Sequence, residues 1–404
     1  MASILDGIRI IDFTWVVAGP QCTQVLADFG AEVLRVEWPQ RPDASRFRLL
    51  ADDVDRSSQN HSGFWNNLNR NKRSITLNMR HPDAQAIALQ LIAKSDVVVE
   101  NFASGVLESW GLPWKRMQEA NAGLVYLSMS GFGGGGPNEK YVVFGPVIQA
   151  ASGLHAMTAQ PGREPAGLGF SYGDYSAGYL GALAILAALA ERDATGQGAM
   201  IDFSEVEAGV SLTSAALLDY QVNARPSTAW GNVPYGASDA PAGLYRCVGN
   251  DSWCAISIRD DDHWHALVRA AGLDDLDDDR RFDTQHGRAA HRGLLDTRLS
   301  EWTRGRDRDD VVALLRGAGV PATAMSAAEE LLDDEALRSF GYFQSAEHPN
   351  LGEREFQMGG IRSARGPDLR RAAPIIGEAN EMVYGDILGF SEEQIKMYRD
   401  DAVI

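Results

Sequence analysis

The sequence predicts an α/β protein with a large domain on a parallel sheet, built from both ends of the chain, and a smaller α+β unit in the middle. Three observations predict it. Short β-branched runs alternate with helical stretches through the first 200 residues, the order that builds a parallel sheet flanked by helices. A polar stretch rich in Pro, Gly and Ser then interrupts the chain at 221–240 (QVNARPSTAWGNVPYGASDA), a composition that suggests a linker. Finally, 404 residues are too many for one ordinary core.

In order, IRIIDF (8–13) reads as the first strand, followed by a helical stretch from Pro20 to Phe29 that stops at Gly30. AEVLRVE (31–37) is a second strand and ITLNM (75–79) a third. His81 to Lys94 reads as a helix with Pro82 near its start. DVVVENF (96–102) and LVYLSMS (124–130) are strands, the latter running into GFGGGGP (131–137). Tyr175 to Arg192 is a long apolar helix ended by ATGQG (194–198), and AMIDFSEVEAG (199–209) is a strand entering a helix. After the linker, GLYRCV (243–248) and WCAISI (253–258) make a hairpin across Gly249-Asn250-Asp251. Helices follow at 261–272, 288–304 and 307–318, with DDLDDDRRFD (274–283) as a solvated loop and GVPATAM (319–325) beyond. The expected organisation is a large domain over 1–220, a linker at 221–240, a small domain over 241–325, and a return to the large domain over 326–404.

The composition, 45% hydrophobic and 23% charged, is that of a globular protein. A net charge of -18 disfavours nucleic acid or an anionic membrane as a partner. No apolar stretch approaches the roughly 18 residues that span a bilayer, and residues 177–190 read as a buried helix. MASILDGIRIIDF (1–13) lacks the basic start and apolar run of a signal peptide. The three cysteines, Cys22, Cys247 and Cys254, form no CxxC pair, which fits a reducing compartment. The expected location is therefore cytoplasmic.

Ligands of parallel sheets collect beyond the carboxyl ends of the strands, so the residues after Phe13, Glu37, Asn101 and Ser130 are where a site is sought. Asp174, in GFSYGDYSAGYLG, stands at the mouth of the apolar helix. It reads either as a helix cap or as a carboxylate nucleophile, flanked by Gly173 and Gly178 that let a bulky substrate approach. Gly169-Phe-Ser171-Tyr-Gly173 matches the serine-hydrolase elbow, but a loop (161–168) precedes it where a strand belongs. His263 and His265 form an H-x-H with no third ligand nearby. GFGGGGP lacks the dinucleotide pattern and reads as a mobile loop. Arg70, Lys72 and Arg73 in LNRNKRSI read as a solvated basic turn or as phosphate ligands.

Taken together the chain resembles the class III CoA-transferases, the CaiB/BaiF family, which includes formyl-CoA:oxalate and carnitine CoA-transferases. The resemblance runs through LDGIRIIDFTWVVAGPQCTQVLADFGAEVLRVE (5–37), NRNKRSITLNM (69–79), SDVVVENFASGVLESWGL (95–112), GDYSAG (173–178), ATGQGAMIDFS (194–204), GVPATAM (319–325), APIIGE (373–378) and LGFSEEQIKMYRDDAVI (388–404). It implies a Rossmann-like large domain and an interlocked dimer. Asp174 falls on the family's catalytic aspartate; Val16, Ala18, Leu68, Asn101, Phe102 and Val106 fall on CoA-site positions, with Arg70, Lys72 and Arg73 near enough to help with CoA phosphates. The implied chemistry is covalent. Asp174 attacks a donor thioester, carries CoA as an aspartyl thioester, and passes it to an acceptor carboxylate. CoA and acyl-CoA act as substrates, with no permanently bound cofactor and no metal.

The departures bear on substrate. Val17 replaces a polar Gln of the formyl-CoA enzyme, Phe144-Gly145 replaces its Tyr-Glu, and its tetraglycine loop is missing near 235–243. Trp38 replaces a basic CoA contact of some relatives. A neighbourhood of Trp15, Val17, Phe144 and Tyr175 suggests an aromatic or alkyl-substituted dicarboxylate such as benzylsuccinate, with succinyl-CoA as donor. Two alternatives stay open. A 2-methylacyl-CoA racemase would need a His–Asp pair where this chain has VVFGP (142–146). The chain could also be the catalytic subunit of a heteromeric transferase.

Overall fold

A computed structural model describes residues 2–48, 59–226, 229, 231–233 and 239–404. The chain divides into two compact units, one of residues Met1–His155, Gly167–Pro226 and Arg338–Ile404, the other of Ala156–Ala166 and Ser227–Leu337.

The first unit is built on six parallel strands: β1 (Arg9–Asp12), β2 (Glu32–Glu37), β3 (Arg73–Thr76), β4 (Val97–Glu100), β5 (Val125–Ser130) and β6 (Ala199–Ser204). Their order is β3-β2-β1-β4-β5-β6, every pair parallel. This is the doubly wound Rossmann-like order, which reverses direction between β1 and β4. Helices in chain order are α1 (Ala18–Asp28), α2 (Gly63–Asn69), α3 (Ala84–Ala93), α4 (Val106–Ser109), α5 (Trp114–Ala120), α6 (Gly145–Ala151), α7 (Leu154–Thr158), α8 (Tyr172–Thr195) and α9 (Glu205–Leu212).

The strand sequences are apolar on both sides because both faces are covered. Ile11, Leu34, Ile75, Val98 and Tyr126 face α3, α5 and the returning C-terminal residues Val383, Tyr384, Ile395 and Val403. Their neighbours Ile10, Val33, Val97, Val125 and Leu127 face the opposite way, onto α1 and α8. Such alternation is the two-residue period of a strand. The returning segment is tied to β3, with the Tyr384 hydroxyl donating to the Thr76 carbonyl and Asn78 N–H donating to the Val403 carbonyl at 2.8 Å.

α8 is longer than the expected 175–192, and by length and composition it is the one helix among the described residues that could cross a membrane. The sequence expectation that no stretch approaches that length is thus corrected. Half of its apolar window is buried, and α1 packs against it. At Gly178 a Cβ would stand 2.8 Å from the Ala18 carbonyl oxygen and from the Gln21 side chain. The glycine therefore serves helix–helix approach, where the sequence suggested room for a substrate.

The second unit holds an antiparallel sheet of Ala242–Arg246, Trp253–Ser257 and Ala322–Ala324. Its core includes Trp264, Leu267, Phe282, Leu295 and Leu315. The acidic run expected as a solvated loop carries a short helix, Asp274–Asp277, and a 3-10 turn, Arg280–Phe282. Leu276 and Phe282 are buried in that core, and two apolar anchors outweigh the surrounding charge. Of the expected linker, residues 227–228, 230 and 234–238 lie outside the described residues.

Candidate active site

The residues that follow all six strands of the large sheet converge on one cavity of about 1020 Å³ within the first unit. It opens beyond the carboxyl ends of β1 and β4, where the strand order reverses, the expected place for a ligand in such a sheet. Trp15 to Ala18 enter after β1, Trp38 and Arg41 after β2, Leu77 to Arg80 after β3, and Asn101 to Ala103 after β4. Gly131 follows β5, and Glu205, the first residue of α9, follows β6.

The loop after β1 is held by polar clamps. Trp15 N–H donates to Asn101 Oδ1 at 2.7 Å, and Asn101 Nδ2 donates back to the Trp15 carbonyl at 2.9 Å. Val16 has φ +67°, a left-handed conformation costly for a β-branched residue. Its N–H donates to Asp43 Oδ2 at 3.0 Å. That same oxygen accepts from Arg35 at 2.6 Å. The Trp15 ring sits edge-on to Phe102, 5.8 Å between centroids, and Arg41 lies 5.6 Å from its face.

Asp174 lines the cavity from the first turn of α8 and is buried. The N-cap position belongs to Ser171, so Asp174 is not the cap that its sequence position also allowed. Its carboxyl is hydrogen-bonded to the Ser171 hydroxyl and to Glu205. Burial pushes the Asp174 carboxyl up to about 6, against the pull of those two hydrogen bonds. Burial, together with the charge of and hydrogen bond to Asp174, holds Glu205 well above the ordinary carboxyl range. Two carboxyls in contact in a low-dielectric site cannot both ionise readily, so they share one proton between them. The backbone of α6 comes close as well: a Cβ on Gly145 would stand 2.6 Å from Asp174 Oδ2 and 2.7 Å from Ser171 Oγ.

Several other sequence candidates line the same cavity: Val16, Ala18, Asn101, Phe102 and Val106, together with Trp15, Val17, Trp38 and Phe144. Others do not. Leu68 is fully buried in α2, and a different leucine, Leu77, lines the cavity. Tyr175 turns aside to a hydrogen bond with Asn67. Gly173 faces α6, where a Cβ would meet Ile148 at 2.9 Å.

Nor do the basic-turn residues reach the cavity. Lys72 is buried and donates to Asp12 Oδ2, the Pro20 carbonyl and Asn69 Oδ1 at 3.1, 2.9 and 3.0 Å. All three of its N–H bonds are spent, and burial pulls it down to about 8 despite Asp12. Arg70 grips Asp28 through two nitrogens, at 2.7 and 3.2 Å. Arg73 stands 4.0 Å from Glu32 and is half-buried. The turn is structural because buried cations need carboxylate partners. Among the described residues, the cationic side chains that line the cavity are Arg41 and Arg80.

Sequence reasoning missed Glu205, Arg41 and Arg80. In SEVEAG, Ser204 caps α9 by accepting from Glu207 N–H at 3.2 Å, so both first-turn glutamates read as ordinary helix-start acids. Only the fold brings one of them to Asp174. The remaining motifs go elsewhere. Ser171 follows a loop, not a strand. His263 lies 3.3 Å from Asp260 and His265 2.7 Å from Asp277, each ring with its own carboxylate. Of GFGGGGP, only Gly131 reaches the cavity, while Gly134 N–H is anchored to Asp202 at 2.9 Å.

Residues 5–380 match the model of CoA-transferase family III. Over 404 residues, 99% of this chain and 98% of the relative, the chain is 33% identical to succinyl-CoA–D-citramalate CoA-transferase of Chloroflexus aurantiacus. It is 31% identical to the α subunit of succinyl-CoA–L-malate CoA-transferase of the same organism, covering 99% of this chain and 92% of that one. A CaiB/BaiF family protein from Brucella suis, 27% identical, superimposes with a TM-score of 0.87 over 96% of this chain and all of its own. With the Rossmann-like sheet and a cavity at its switch point, these matches make the chain a CoA-transferase belonging to CoA-transferase family III.

Proposed function

We propose that the chain moves CoA from succinyl-CoA to a second dicarboxylate through an aspartyl-CoA thioester on Asp174. The observation that carries this reading is the buried Asp174 carboxyl in the wall of the switch-point cavity. An Asp174 oxygen attacks the thioester carbonyl carbon; the C–S bond breaks and CoA leaves as thiolate, giving a mixed anhydride. The thiolate then attacks the aspartyl carbonyl, and succinate departs with the anhydride oxygen. The acceptor carboxylate reverses the two steps. Each step exchanges one acyl bond for another of similar energy, the use of covalent catalysis.

Arg41 and Arg80 would take the anionic end of CoA, and the Val16–Ala18 and Asn101–Phe102 loops its apolar arm. The acceptor side is walled by Trp15, Val17 and Phe144, which suits a dicarboxylate with an apolar substituent. The relatives named for citramalate and malate support a dicarboxylate acceptor; benzylsuccinate is the aromatic extreme of the class. Among the described residues no histidine lines the cavity, which disfavours the racemase alternative.

The active form is an interlocked dimer in this reading. Tyr179 and Leu183 on α8, and Leu217, Leu218 and Val222 on the helix Ser214–Asn223, are exposed, an apolar face that a partner would cover. The α-subunit relative makes a sister chain the alternative to a second copy. The expected location is cytoplasmic, where CoA thioesters serve as substrates.

The test is peptide mass spectrometry after incubation with succinyl-CoA and trapping with hydroxylamine or borohydride. A modified peptide containing Asp174, absent in Asp174→Ala, is expected. Transfer to acceptors without any adduct on that peptide would overturn the covalent route.

A further inference from the structure

We propose that Glu205 is a catalytic partner of Asp174: the neutral acid that donates a hydrogen bond to the Asp174 oxygen on which negative charge gathers in the two steps that attack the aspartyl carbonyl. The proposal rests on the reading of Asp174 as the acyl-carrying carboxylate and adds a residue to it.

Glu205 and Asp174 come from different helices, both line the cavity, and their carboxyls are in hydrogen-bond contact. Glu205 is not needed to cap α9, since Ser204 does that. It is 6% exposed, and among the described residues the ionisable group that acts on it is the Asp174 carboxyl, not a cation. An uncompensated charge there is costly, which keeps the proton on Glu205 while Asp174 is the carboxylate. Burial and the neighbouring Asp174 charge both push Glu205 upward, toward the neutral acid.

The ionisable groups around the pair are few. α6 carries none in GPVIQAA. α1 brings Cys22 and Asp28, β5 Tyr126, β6 Asp202, and the helix Ser214–Asn223 Asp219 and Tyr220. None of these acts on the pair; the Tyr175 phenol feels the Asp174 charge, and the Ser171 hydroxyl donates to Asp174.

The chemistry follows from one bond. When thiolate or acceptor carboxylate attacks the aspartyl carbonyl, the electron pair of the C=O bond moves onto the Asp174 oxygen. A protonated Glu205, hydrogen-bonded to that carboxyl group, stabilises the oxyanion from where it stands. Its proton stays on Glu205 throughout, so no acid or base is consumed over the cycle. Above the pH at which Glu205 ionises, the donor is lost and two negative charges oppose each other.

The experiment is exchange of isotopically labelled succinate into succinyl-CoA, which requires no knowledge of the acceptor. Wild type, Asp174→Asn, Glu205→Gln and Glu205→Leu are compared across pH 5 to 10. Wild type is expected to show a fall in kcat on the alkaline side. Glu205→Gln, a donor that cannot ionise, is expected to lose that fall. Glu205→Leu is expected to lower kcat by roughly a hundredfold, with KM for succinyl-CoA within about threefold. A Glu205→Gln profile superimposable on wild type, or Glu205→Leu exchange at the wild-type rate, overturns the proposal while leaving Asp174 in its role. Exchange retained in Asp174→Asn, or absent from wild type, overturns the underlying reading instead. Should Glu205→Leu fail to fold, the Glu205→Gln profile still decides.

Discussion

Val16 N–H donates to Asp43 Oδ2 at 3.0 Å while Val16 holds a left-handed backbone at φ +67°. The same Asp43 oxygen binds Arg35, which reaches Asp12 on β1 at 3.4 Å. Strained residues persist at sites only where surrounding structure over-determines them, and here the surroundings are one buried carboxylate. Asp43→Ala removes the acceptor and leaves Arg35 with the weaker bonds of its other nitrogen, to Asp12 at 3.4 Å and the Thr14 hydroxyl at 3.3 Å. The expected cost is about 3 kcal/mol of stability, the scale of breaking a buried ion pair, with a fall in kcat/KM. Val16→Gly tolerates positive φ without the carboxylate. The double variant Val16→Gly/Asp43→Ala is therefore expected to recover part of the kcat/KM lost by Asp43→Ala alone. Additive losses in a double-mutant cycle would show that Asp43 does not hold the loop.

A second expectation concerns Gly145. Its α-carbon packs so close to Asp174 that an added methyl would meet Oδ2 at 2.6 Å. Gly145→Ala should push the carboxylate aside or off its hydrogen bonds. Overpacking of this kind costs about 1–3 kcal/mol, and a misplaced nucleophile costs rate. The kcat is expected to drop at least tenfold while calorimetry finds CoA affinity within about threefold of wild type. An unchanged kcat would mean that Asp174 has room to move without penalty.

The sheet was largely legible because its strands are short β-branched runs bounded by polar residues, as in DVVVENF around β4. So were the places beyond strand ends where a cavity opens, and the position of Asp174 at the start of the long helix. What did not read out was burial. LNRNKRSI looks like a solvated basic turn until Asp12 and Asp28 are found beside it. Nothing in the spacing distinguishes Glu205 from Glu207. Leu68 and Leu77 flank the same turn, and only the third strand's exit into the cavity decides between them. One-dimensional patterns report which face a residue takes, but not which distant residue it meets.

pH should affect stability through Glu100 as well. Burial pushes its carboxyl up from 4.5 to about 7, although it accepts from Ser128, Phe102 N–H and Tyr126. A raised folded-state value means that its stabilisation is complete below the unfolded value and is lost as pH rises through about 7. A shift of that size corresponds to about 3 kcal/mol. Urea denaturation at pH 5.5 and 8.5 is expected to show the wild type weaker at the higher pH. Glu100→Gln cannot ionise and should narrow that difference; an unaltered difference would assign it to other groups.

The last expectation separates the buried cations from the cavity cations. Lys72 makes three hydrogen bonds in the interior and none toward the cavity. Lys72→Met takes the nearer of two cations from Asp12, leaving Arg35 at 3.4 Å, and the expected loss is about 3–5 kcal/mol, read as a lower urea midpoint. Among molecules that remain folded, KM for succinyl-CoA should be unchanged. Arg41→Ala and Arg80→Ala should behave in the opposite way. Both side chains line the cavity, so each variant should keep its midpoint and raise KM for succinyl-CoA, with a smaller effect on kcat. An Arg bound to phosphate makes charge-assisted, often bidentate bonds, so a tenfold rise or more is the expected scale for whichever residue meets the pyrophosphate. Dephospho-CoA thioesters then divide the two. The variant whose defect vanishes with the substrate lacking the 3′-phosphate is the one that held that group, and the other contacts the pyrophosphate. If Lys72→Met raised KM without lowering the midpoint, the basic turn would regain the role its sequence suggested.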